Sequence, residues 1–172
     1  MPHKGKRAQT QLNMEKLGVI LINGSVTISD PCYEPHIWCA AVMNVLPGQW
    51  VCQAEKLSKL VKTLRICKPG AESIIPDEYY SSVTVDSGRC GFFDTAYYEE
   101  KHPSELVNDS EISKKWYEEV YEMTTRKICG LTSDSFGVVA SSGYGDSNGV
   151  FPVYVGRDNH GDIVSIEIRF IG

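Results

Sequence analysis

Five aspartates stand at predicted strand ends, in or near turn segments rich in glycine, serine or proline: Asp30, Asp86, Asp94, Asp146 and Asp158. If those ends converge, the carboxylates could hold a divalent metal through oxygen ligands, or serve a hydrolytic site. The competing reading is that each aspartate holds its own turn by bonding to nearby backbone N–H groups. Ser87 and Arg157 adjoin two of them and complete the polar candidates for a ligand or partner site. Cys32 and His36 are loop neighbours and could be imagined as thiolate and base. No third group that would orient them can be identified, so a structural thiol is expected. The run from Gly143 through Tyr144 to Gly145 is a glycine loop that a ligand could approach closely. It is not a dinucleotide fingerprint, because Asn148 stands where the third glycine would be and no helix pattern follows. The motifs of serine hydrolases, zinc proteases and P-loop enzymes are missing as well. No catalytic residue, cofactor or metal is therefore assigned.

Composition narrows the classes further. At 172 residues with 42% apolar and 23% charged positions, this is an ordinary single-domain composition. Residues 1–16 read as a basic flexible arm and residues 17–172 as one β-rich domain. Setting aside the three Lys and Arg of Met1 to Gln11 leaves 14 cations against 22 acids, a net of −8. A body so acidic is a poor phosphate-backbone binder, so direct nucleic-acid binding is not expected. No apolar run reaches membrane-spanning length, and no secretion signal is evident. A cytoplasmic protein with its six cysteines reduced is the expectation.

The elements that must position these residues are mostly strands. Leu17 to Ile22, Asn23-Gly24 and Ser25 to Ser29 predict a hairpin that stops at Asp30-Pro31. Trp38 to Val45 and Trp50 to Ala54 predict a second hairpin across Pro47-Gly48. Further strands are predicted at 60–67, 81–86, 90–94, 138–142, 150–156 and 163–171. In the last, Val164, Ile166, Ile168 and Phe170 alternate with Ser165, Glu167, Arg169 and Ile171, which predicts one buried and one mostly polar face. The segment around Tyr97 to Lys101 predicts a short helix or a loop. One long helix is predicted from about Glu111 to Ile128, with Ser110 as its N-cap. Ile112, Trp116, Val120 and Met123, flanked by Tyr117 and Tyr121, are expected to lie on the sheet. The fold class is mainly β: an antiparallel sandwich or rolled sheet with one covering helix.

Four blocks recur in a recognisable order: Ile28-Ser29-Asp30-Pro31, then Val45 to Trp50 across Pro47-Gly48, then Val85-Asp86-Ser87-Gly88 leading to Phe93-Asp94, then Ser142 to Asp146 leading to Phe151 through Asp158. In this the chain resembles a family of bacterial and phage domains of unknown function. Its members carry a strand ending in Asp-Pro, a Pro-Gly hairpin, a Val-Asp-Ser/Ala-Gly segment and a closing Ser-Gly-x-Gly-Asp-Gly block before Tyr-Pro-Val-Tyr. This chain departs by reading Asp146-Ser147-Asn148-Gly149 where that pattern has Asp-Gly directly. The resemblance implies one compact domain and supplies no catalytic residues. Two functions are consistent with all this. One is a non-enzymatic acidic binding protein, an inhibitor, immunity or phage counter-defence factor whose protein partner handles nucleic acid. The alternative is a small-molecule or nucleotide binder, or a metal-dependent hydrolase, using the strand-end Asp and Gly loops.

Overall fold

The computed structural model describes residues 14–58, 60–102, 111–142 and 149–171. Among these residues eleven strands form two antiparallel sheets. The six-stranded sheet runs, in spatial order, β1 (Met14–Ile22), β4 (Gly48–Leu57), β5 (Leu60–Cys67), β11 (Ile163–Arg169), β10 (Gly149–Arg157) and β6 (Glu78–Val85). The five-stranded sheet runs β3 (Ala41–Asn44), β2 (Ser25–Ser29), β7 (Arg89–Asp94), β9 (Gly137–Ser141) and β8 (Cys129–Leu131). Two helices follow β7: α1 (Thr95–Lys101) and α2 (Glu111–Arg126). The fold is the expected mainly-β sandwich.

Alternation explains how the layers stack. In β7, Phe92 points into the core between the sheets, and Phe93 points out to the helices. In β9, Val138 and Ala140 point in and Val139 points out. The inner core joins Ile20, Trp50, Leu64, Ile66 and Ile166 of the larger sheet to Val26, Ile28 and Phe92 of the smaller one. The outer core of the smaller sheet is aromatic. Phe93, Tyr97, Tyr98 and Trp116 meet at centroid distances of 4.9 to 6.2 Å, with Val120 and Val139 beside them. Gly137 is required here, because a Cβ on it would sit 2.6 Å from the Phe93 ring.

Several pairings differ from the sequence expectation. β1 and β2 are not a hairpin: β1 pairs with β4 in one sheet, and β2 pairs with β3 and β7 in the other. Asn23-Gly24 is instead a crossing point between sheets, with Gly24 at φ 92°. Pro47-Gly48 likewise passes the chain from β3 to β4 across the sandwich. Trp38 lies in a turn, not in a strand, and is exposed. The larger sheet begins at Met14, three residues inside the stretch assigned to the arm. Ser110 lies outside the described residues.

The polar face of β11 is not solvated. Ser165 and Glu167 are buried, because the 68–77 loop lies over that side of the larger sheet. Ala71 and Ile74 pack there on Val51 and Cys67, and also on Val164, which belongs to this outer cluster and not, as its alternation predicts, to the inner core with Ile166 and Ile168. Arg65 Nε and Nη2 both donate to Glu167 Oε1, at 2.9 and 2.7 Å, and Arg169 Nη2 donates to Pro76 O. Beside this pair, burial raises the Glu55 carboxyl above its usual range, against the pull of Lys62.

Candidate functional site

Three elements meet at one end of the sandwich: the turn after β2, the β6–β7 turn and the flank of α2. Asp30 follows β2 and is fully buried. Its carboxylate accepts four hydrogen bonds. Cys32 N donates to Oδ1 at 2.8 Å, Asp86 N and Ser87 N donate to Oδ2 at 2.9 and 2.7 Å, and Ser87 Oγ donates to Oδ1 at 2.7 Å. Gly88, at φ 74°, supplies the left-handed backbone that turns the chain back beneath it. Consecutive amides of this kind are a ready-made anion cradle, and the protein fills it with its own aspartate.

The same turn is tied to the helices. Pro31 O accepts from Trp116 Nε1 at 2.8 Å and lies 2.9 Å from His102 Nε2. Tyr98 Oη donates to Tyr33 O at 2.6 Å and lies 2.9 Å from Asp30 O.

Of the sequence candidates, Asp30, Cys32, Asp86 and Ser87 are brought together. The residues bounding the glycine loop reach the same turn, since Ser142 N donates to Gly88 O at 2.9 Å and Gly149 pairs with Val85. Gly143, Gly145 and Asp146 themselves lie outside the described residues. The remaining candidates do not join. Asp94 is at the other end of β7, where it caps α1 through Tyr97 N and accepts from Asn23 N at 2.7 Å. Asp158 closes the β10–β11 turn by accepting from His160 N and Asp162 N. It lies the length of β10 away, roughly 26 Å at 3.3 Å per residue. Arg157 beside it forks onto Glu78, Nε to Oε1 at 3.0 Å and Nη2 to Oε2 at 3.1 Å. Asp30, Asp94 and Asp158 are thus turn and cap residues. Among the described residues no three His, Cys, Asp or Glu side chains group as metal ligands.

Cys32 is the one exposed thiol of six free cysteines. Partial burial and the Asp30 charge raise its pKa, and Ser87 and Arg89 pull it back only in part. His36 does not serve it, because its Nε2 lies 3.6 Å from Glu99 Oε2. The same desolvation, with Asp30 and its neighbours, lifts the Tyr33 phenol to about 12. Neither the Cys32 thiol nor the Tyr33 phenol is shifted towards its anion here.

What the turn does border is a groove of about 350 Å³, lined by Cys32, Arg89, Tyr117, Glu118, Val120 and Tyr121. Arg89 is its fixed element. Nε donates to Thr124 Oγ1 at 2.7 Å, Nη1 donates to Ser87 O at 2.8 Å, and the guanidinium lies 4.9 Å from the Tyr121 ring centroid. Thr124 can hold it because its hydroxyl is itself anchored, donating to Val120 O at 2.8 Å. Only part of the helix stripe behaves as expected: Trp116 and Val120 are buried, whereas Ile112, Tyr117 and Tyr121 are 50%, 41% and 62% exposed. Sequence reasoning missed Arg89, Tyr117 and Tyr121. The helical spacing carried a signal, since a stripe that includes both 116/120 and 117/121 is wider than one sheet contact can cover.

Fold and groove together define a β-sandwich domain with a groove along one flank of α2 and no assembled catalytic set among the described residues. A family model described as a protein of unknown function (DUF4241) matches residues 27–168, and the chain belongs to that family. No curated protein and no solved structure matches it. No helix among the described residues is long and apolar enough to cross a membrane.

Proposed function

We propose that the domain acts by binding, without chemistry, and docks a basic protein partner on the exposed face of α2. One observation carries this reading. Tyr117 and Tyr121 stand one turn apart and exposed, with the exposed acids Glu118 and Glu122 beside them. Aromatic side chains that expose large area and lose little rotamer freedom are the usual anchors of interfaces. Acids around them steer a cationic partner towards the helix. The helix is held rigidly by Trp116 and Val120 beneath it, so the face is preorganised. The net charge of −5 agrees in sign with such a partner. A cationic nucleic-acid groove on another protein has the matching chemistry, and covering it would make this domain an inhibitor or counter-defence factor.

The test compares wild type with Tyr117→Ser/Tyr121→Ser as bait in host lysate, read by mass spectrometry. The expected result is a basic protein retained by wild type, lost by the variant, released by salt and displaced by competing nucleic acid. Metal-dependent turnover of a nucleotide or ester, abolished by Asp86→Asn, would overturn the proposal.

A further inference from the structure

We infer that Arg89 is the specificity anchor of the α2 groove and receives the carboxylate of an aspartate or glutamate in the partner, with an apolar partner residue laid against Tyr117, Val120 and Cys32. This rests on the reading of α2 as the docking face and names what that face selects.

The argument begins with donor accounting. A guanidinium carries five N–H groups. Two of Arg89's are used, by Thr124 Oγ1 and Ser87 O, and the rest have no acceptor among the described residues. The two bonds and the Tyr121 ring fix the plane of the fork before any partner arrives. A fixed fork loses little entropy on binding and matches a carboxylate in two-point geometry. Within the groove, Arg89 is the sole cation among the lining residues, and Glu118 is the sole acid, shared with the hollow beyond.

The shape selects a chain passing through over a chain end. The adjoining hollow shares Glu118 and Tyr121 and continues to Glu122 and Thr125. A partner segment laid across α2 from the Arg89 side would meet Arg89 first, then Tyr117 and Tyr121, then the two glutamates. The matching sequence has an acidic residue, then apolar residues, then a basic residue. That order reconciles a basic partner with a half-buried cation in the groove.

The experiment titrates two capped peptides into 15N-labelled protein: Lys-Ala-Ala-Asp-Leu-Ala-Lys, and the same peptide with Asn in place of Asp. The Asp peptide is expected to move the Arg89 Nε–H and the backbone amides of Ser87 and Tyr121. It is also expected to bind about tenfold more tightly than the Asn peptide, as for a charge-assisted bond. Arg89→Gln should bring the two affinities together. Equal affinity in wild type, or a preference that survives Arg89→Gln, overturns the anchor while leaving α2 as the docking face. Failure of both peptides to move any α2 amide overturns both. The wild-type comparison decides the matter even if the variant does not fold.

Discussion

Asp30 and Arg89 occupy the same end of the sandwich and meet opposite fates. Asp30 is sealed, and four donors saturate its carboxylate. Arg89 is held by two bonds and a ring, yet lines the groove with its other donors lacking an acceptor among the described residues. A saturated buried ion is architecture: its worth lies in what collapses when it goes. A fixed ion with capacity left over keeps a pre-set fork at the surface, and the proposed anchor rests on that. The difference teaches that a polar residue near a surface groove should be judged by its unspent hydrogen bonds, and not by its type.

Substitutions can break that contrast, and the largest effect belongs to the architecture. Trp116→Ala should cost about 3–5 kcal/mol, the range for deleting a large aromatic from a core. The indole packs on Phe93, Tyr97 and Tyr98 and donates to Pro31 O. Urea denaturation checks this, and a wild-type midpoint would show that α2 does not depend on its buried stripe.

Asp30→Asn follows, at about 2–4 kcal/mol, since an amide NH₂ would face amides that now donate to a carboxylate. Thermal melting measures it. A neutral result would mean that the cradle tolerates an uncharged occupant, and the sealed half of the comparison would fail.

Tyr117→Ser/Tyr121→Ser should change stability by no more than about 0.5 kcal/mol per site, as for exposed positions away from the core. The same variant should weaken the partner complex by about tenfold or more. Paired denaturation and binding curves separate the two effects. A large loss of stability would move these tyrosines to the architectural side.

The smallest effect sharpens the link between the two ions. Cys32 is exposed but its pKa is raised, so less of it is thiolate at neutral pH than in a free thiol. Its alkylation by iodoacetamide should be slower than that of N-acetylcysteine at pH 7.5, with the pH–rate midpoint displaced upward. Arg89→Gln removes a charge that favours the thiolate, so the midpoint should rise further. A downward move would place Arg89 away from the thiol.

The chain's local chemistry was legible without coordinates. Alternation marked the strands, 3.6-residue spacing marked α2, and aspartates at strand ends marked the turns, because each of these follows from forces within a few residues. Asp94 and Asp158 do what their neighbours imply. Sheet membership was not legible. Asn23-Gly24 and Pro47-Gly48 carry hairpin chemistry, yet both pass the chain between sheets, because pairing is decided by which distant strands bury Ile20, Trp50 and Val26 together. The candidate site belongs to the same category. Asp30 meets Ser87 across 57 residues, and Arg89 meets Thr124 across 35. Periodicity placed Trp116 and Tyr117 on one broad stripe, and only packing decided that the first is sealed against Phe93 while the second faces the groove. Local sequence fixes what a segment can do. Burial, which depends on every other segment at once, decides which of its groups remain available.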